Sequence, residues 1–154
     1  MFQQLLPSQI DNTYRGQRLA LWILGLLVAM KLAMGLNSIF NGHEVASSAD
    51  GIPLDSYGPE GARTVVAMFA IWGLGQVILG LLGMLALVRY RGLVPFLFAL
   101  LLAEQVCRKL ILHFLPIAKV GTPPGTVVNL VFLSLMLLGL ALSLWSRRQP
   151  QPER

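Results

Sequence analysis

Residues 64–88 read TVVAMFAIWGLGQVILGLLGMLALV and contain no charged side chain. As an α-helix the stretch would be about 37 Å long, more than the roughly 30 Å hydrocarbon core of a bilayer. A helix satisfies its own backbone N–H and C=O groups, the condition for crossing a medium without water. The stretch therefore predicts a transmembrane helix. Gly73, Gly80 and Gly83 share one face with Gln76, which predicts close contact with a second helix and an inward-turned Gln76.

Working outward, three further stretches predict helices of spanning length. Residues 19–40 (LALWILGLLVAMKLAMGLNSIF) carry one charge, Lys31, and residues 126–145 carry none. Residues 93–115 hold Glu104, Arg108, Lys109 and His113. With 55% hydrophobic and 12% charged residues and a mean hydropathy of +0.67, the chain has too little charged surface for a soluble domain. The expected architecture is all-α, a four-helix transmembrane bundle forming one integral membrane domain over 1–154. Arg15 and Arg18 ahead of an apolar run also describe a secretory signal peptide. That run is too long, Lys31 interrupts it and no cleavage site follows promptly, so it reads as the first span.

The basic residues give the orientation. Arg15, Arg18, Arg89, Arg91, Arg147, Arg148 and Arg154 fall on one side of the predicted spans, and only Arg63 and Lys119 on the other. The positive-inside rule then predicts both termini in the cytoplasm, in a bacterial-type plasma membrane. Trp22, Trp145, Tyr14 and Tyr90 lie near the same boundary as anchors. The net charge of +5 and pI near 10.0 reflect this placement, and no nucleic-acid-binding motif accompanies them.

The connection at 41–62 holds Asp50-Gly51, Pro53, Gly58-Pro59 and Gly61, with no helix or strand period. It is longer than usual, so it reads as a functional cap or a loose tether. The link at 88–92 is short and predicts a tight antiparallel hairpin of spans two and three. In span one Gly25, Ala29 and Ala33 recur every fourth residue and predict a packing face. Cys107 is the only cysteine; it excludes an internal disulfide and reads as an inert packing residue.

Charge inside the spans is the sharpest functional signal. From the helical rise, Lys31 lies about 20 Å from the inner boundary, Glu104 about 18 Å and Arg108 about 24 Å, with Gln76 also near mid-membrane. Charge at that depth costs at least about 2.5–3.5 kcal/mol, so these groups should turn inward and find partners. Glu104 and Arg108 are four residues apart and expected to pair, with Lys31 joining them. Lys31, Gln76, Glu104 and Arg108 thus form the candidate polar site. In a structural reading the network locks span one to span three. In a ligand reading its surplus positive charge receives an anionic or carbonyl-bearing molecule.

His43 and His113 are both predicted at the outer side; they read as interfacial residues rather than as haem or metal ligands, and no cofactor is implied. No nucleophile–base pair, metal motif or phosphate loop occurs, which weighs against an enzyme. The leading functional expectation is a non-catalytic accessory or binding protein. Its partners would be membrane lipids, a larger membrane complex or a second copy, with no nucleic acid. The rival is a small transporter or redox-complex component.

Lys31-Leu32 in span one, a Pro-bearing outer loop and Glu60 just before a Gly-rich span two resemble the DoxX-like small four-helix bacterial membrane proteins. The resemblance covers about half the chain. It implies a four-helix membrane fold, and some members are linked to quinone-coupled redox systems. The long acidic loop and the Glu104–Arg108 spacing fall outside that pattern.

Overall fold

The computed structural model describes residue 12 and residues 14–145; Arg147, Arg148 and Arg154 lie outside them. The chain is helical, and no strand occurs among the described residues. Among the described residues four long helices make up the body: α1 (Arg18–Phe40), α2 (Pro59–Arg89), α3 (Val94–Phe114) and α4 (Pro124–Leu144). Three of them, α1, α2 and α4, are long and apolar enough to cross a membrane. Helix α3 is of similar length but carries Glu104, Arg108 and Lys109.

The helices α2 and α4 begin earlier than residue patterning predicts. Pro59 and Pro124 each occupy the first helical turn, where the missing N–H costs nothing and the fixed φ suits the helix.

Helix α1 packs most extensively against α2, and next against α4; α3 leans on α4 and touches α2 little. The expected tight hairpin of spans two and three is therefore corrected. Both helices find better partners elsewhere. Gly80 and Gly83 of α2 receive large residues of α1: Gly80 faces Leu32 and Gly83 faces Val28. At Gly73 the backbones themselves meet, and a Cβ there would lie 2.6 Å from the Gly35 carbonyl oxygen. Helix α3 instead drives Phe98, fully buried, into the notch that Gly139 leaves in α4.

The α1 packing face is thus Val28, Leu32, Gly35 and Ser38. Of the predicted stripe, Ala29 and Ala33 are exposed and Gly25 only half-buried, a second correction. Gly80 and Gly83 take up the side chains of Leu32 and Val28, so the α1 face turned to α2 is set by fit to those notches rather than by the Gly25–Ala29–Ala33 stripe. Cys107 is exposed on α3, not packed inside.

The apolar core fills the predicted cytoplasmic half, around Leu24, Leu27, Leu97, Phe98, Leu101, Phe132 and Met136. At that end Gln17 donates its backbone N–H to Leu142 (3.1 Å), and the Tyr14 hydroxyl donates to the Gln17 carbonyl (3.1 Å). Burial pushes the Tyr14 phenol up to about 12.

The outer connection is a packed cap. Asn41 keeps a helical bond to Asn37 (2.7 Å), and the chain continues through a turn at Gly42–Glu44, a wide turn at Val45–Ala49 and a short turn at Leu54–Ser56. Ala46, Ile52 and Leu54 are buried against Ala62, Val65, Val66 and Phe69. These three anchors follow neither helix nor strand spacing, which is why the segment reads as aperiodic. Gly51 takes a positive φ of 71° and accepts a hydrogen bond from the Val120 backbone (2.8 Å). A Cβ on Gly51 would meet the Val120 carbonyl at 3.0 Å, so both conformation and space require glycine.

Candidate functional site

Between the apolar inner half and the outer cap lies a belt of polar side chains. Lys31 faces inward from α1 because it follows Leu24, Leu27 and Val28 on the buried side. Gln76 sits on the glycine face of α2, and Glu104 comes from α3 two residues beyond Leu102. Lys31 Nζ donates a short hydrogen bond to Gln76 Oε1 and another to Glu104 Oε2 (3.1 Å). Gln76 Nε2 donates to Glu104 Oε1 (3.3 Å). Each carboxylate oxygen thus has its own donor, and three helices are tied in one closed ring of contacts. The Lys31 side chain is 6% exposed and that of Glu104 24%, so the carboxylate marks the open side of the ring.

Arg108 does not join this ring. Its Nη2 donates to Gln105 Oε1 (2.6 Å) and to Asn129 Oδ1 of α4 (2.7 Å), while the guanidinium lies 5.3 Å from the Trp72 ring centroid. Gln105 Nε2 donates in turn to the Asn129 carbonyl (3.3 Å). The ion pairs among the described residues are Lys31–Glu104 and the exposed Arg63–Glu60 at 3.9 Å. The expected Glu104–Arg108 pair is therefore corrected. Four-residue spacing puts two side chains on one face, but the carboxylate turns to donors on α1 and α2, and the guanidinium turns to α4. Lys109 is exposed.

Gln105, Asn129 and Trp72 belong to the site and escape a reading based on charge. Asn129 carries the one usable signal, as a lone amide in the apolar stretch VVNLVFL. Between the ring and Arg108 lies a cavity of about 20 Å³, bordered by Lys31, Trp72, Gln76, Gln105 and Asn129 and floored by Phe132 and Met136. That is room for about one water molecule. Ser38 Oγ is buried without a partner; its position against Gly73 admits only a small side chain.

No family model, curated protein or solved structure matches the chain.

His43 and His113 are both exposed. No group of three or more metal-ligating side chains occurs among the described residues. A wider cleft of about 560 Å³ opens between the outer cap and residues 120–124, with His43 and Asp55 on its wall. Beside it, burial raises the Asp50 carboxyl above the usual carboxylate range, while Lys119 and then Arg108 pull it back down.

Proposed function

We propose that the chain is a multi-pass integral membrane protein with four spans and both termini cytoplasmic, in a bacterial-type plasma membrane. In this reading it is a non-catalytic accessory or binding protein that contacts a membrane partner or a lipophilic ligand. The closure of the Lys31–Gln76–Glu104 ring carries the proposal. A carrier or redox component would need an open route or a substrate-sized chamber at mid-depth, and the cavity beside the ring holds about one water. Helix α3 counts as the fourth span because its two deeper charges are absorbed: Glu104 by Lys31 and Gln76, Arg108 by Gln105, Asn129 and Trp72. The exposed Lys109 can snorkel outward along its stem. The DoxX-like resemblance is compatible with this architecture and enters as part of the proposal.

The rival, a small transporter or redox-complex component, draws on one observation: Arg108 has amide partners and no carboxylate. Two measurements test the proposal, the first its topology and the second its role against the rival. Reporter fusions after residue 145 and in the 89–91 link should register as cytoplasmic, and fusions within 41–58 as external; a cytoplasmic signal from 41–58 overturns the topology. Glu104→Gln should lower detergent stability and with it the recovery of partner proteins on purification. A variant as stable as the parent that has lost a bound molecule would favour the rival.

A further inference from the structure

The polar belt is unbalanced. Lys31 and Arg108 bring two positive charges and Glu104 one negative charge. Farther out, burial disfavours the charged form of the Asp50 carboxyl, while Lys119 first and Arg108 second favour it, so it offsets the belt's surplus only in part. The hydrogen bonding is unbalanced in the same direction. An ammonium group has three N–H donors and a guanidinium five. Lys31 uses two of its donors and Arg108 uses only Nη2. No acceptor for the remaining Lys31 donor, or for Nε and Nη1 of Arg108, occurs among the described residues. Both side chains border the same cavity of about 20 Å³.

We propose that this cavity binds one small monovalent anion of chloride size, held between Lys31 and Arg108 against Trp72. Three properties of the site agree on this occupant. The volume suits one water-sized particle, too small for a phosphate or carboxylate group. One monovalent anion cancels the surplus charge, which a water molecule would leave uncompensated at a depth where net charge is costly. The anion also takes up donors that have no protein acceptor. Trp72 brings no competing lone pair to the site. The charge argument rests on the membrane reading, because in water the surplus would be screened; the size and donor arguments do not.

The probe is bromide, which quenches tryptophan fluorescence on contact. The chain has three tryptophans, and Trp22 and Trp145 are 79% and 68% exposed, so Trp22→Phe with Trp145→Phe leaves Trp72 as the sole reporter. In detergent, bromide should quench Trp72 saturably, and chloride should reverse the quenching by competition. Arg108→Gln should leave only a linear, collisional component. Arg108→Lys, which keeps the charge, should retain saturation at a higher bromide concentration and covers the case in which Arg108→Gln fails to fold. Independently, Tm should rise by roughly 5 °C or more at about a hundred times the chloride dissociation constant, with no rise in gluconate at equal ionic strength. Linear quenching in the Trp72-only protein, or equal Tm in chloride and gluconate, overturns the proposal. Stabilisation by phosphatidylglycerol but not by chloride also overturns it, assigning the cations to a lipid phosphate instead. Reporter-fusion topology is read separately, so failure of the membrane reading remains distinguishable from failure of the anion site.

Discussion

The inner and outer halves of the bundle are stabilised by different means. Inside, Leu24, Leu27, Phe98, Leu101 and Met136 fill space against one another and against Gly139, and each contributes shape. Outside, α3 beyond Gln105 is largely exposed and is held by a few directed contacts through Glu104, Gln105 and Arg108. An apolar interior of this kind tolerates a change of chemistry that keeps volume; a polar belt tolerates a change of volume only where the donors and acceptors survive. Dispersion is summed over many neighbours, whereas a charge at depth depends on one or two.

That contrast is easiest to break at Glu104. Glu104→Gln keeps the shape almost unchanged and removes the counter-charge of Lys31, a change that costs about 3–5 kcal/mol when one partner of a buried pair is lost. Phe98→Leu trims the largest fully buried side chain and should cost well below the about 3–5 kcal/mol of a Phe→Ala truncation. Both are read by denaturation in one detergent. The reverse order would mean that the belt is wetted and that the halves do not differ.

The helix contact itself can be sharpened next. Gly80→Leu must displace Leu32 and should cost about 1–3 kcal/mol by overpacking. Ala29→Leu, on the exposed face of the same helix pair, should stay within about 0.5 kcal/mol. Equal damage from both would show that the Ala29 face is covered by a partner or a second copy, a result that size-exclusion in detergent would register as a change in assembly.

The smallest effect lies in the cap. Burial raises the Asp50 carboxyl, so the protonated form is the one the fold prefers. Its contribution to stability is present below the ordinary carboxylate range and is lost as pH rises through the raised value. Asp50→Asn should therefore be neutral to slightly stabilising at pH 7 and should flatten the acid-to-neutral slope of Tm. A loss of stability at pH 7 would instead indicate that Lys119 and Arg108 outweigh burial.

Much of this is legible in the residues alone, for a physical reason. Charge is rare in an apolar helix, so Lys31 and Glu104 stand out, and the glycine face of α2 marks Gln76 as inward. What stays hidden depends on how helices rotate against each other. Arg108 reaches Asn129 rather than Glu104 because α3 leans on α4, and no spacing within α3 states that. Trp72 and Gln105 carry no charge and so attract no notice. The cap shows no period in the residues because Ala46, Ile52 and Leu54 are set by turns rather than by a repeating pitch.

The Lys31–Gln76 bond has a consequence for biogenesis. Both residues lie on α1 and α2, which leave the ribosome before α3 does. On the four-span reading, the glycine-lined α1–α2 pair can assemble early and hold the Lys31 ammonium ready on Gln76. When Glu104 arrives, a helix too charged to enter lipid alone meets its counter-charge already in place. The first two helices then act as an internal insertion chaperone for the third.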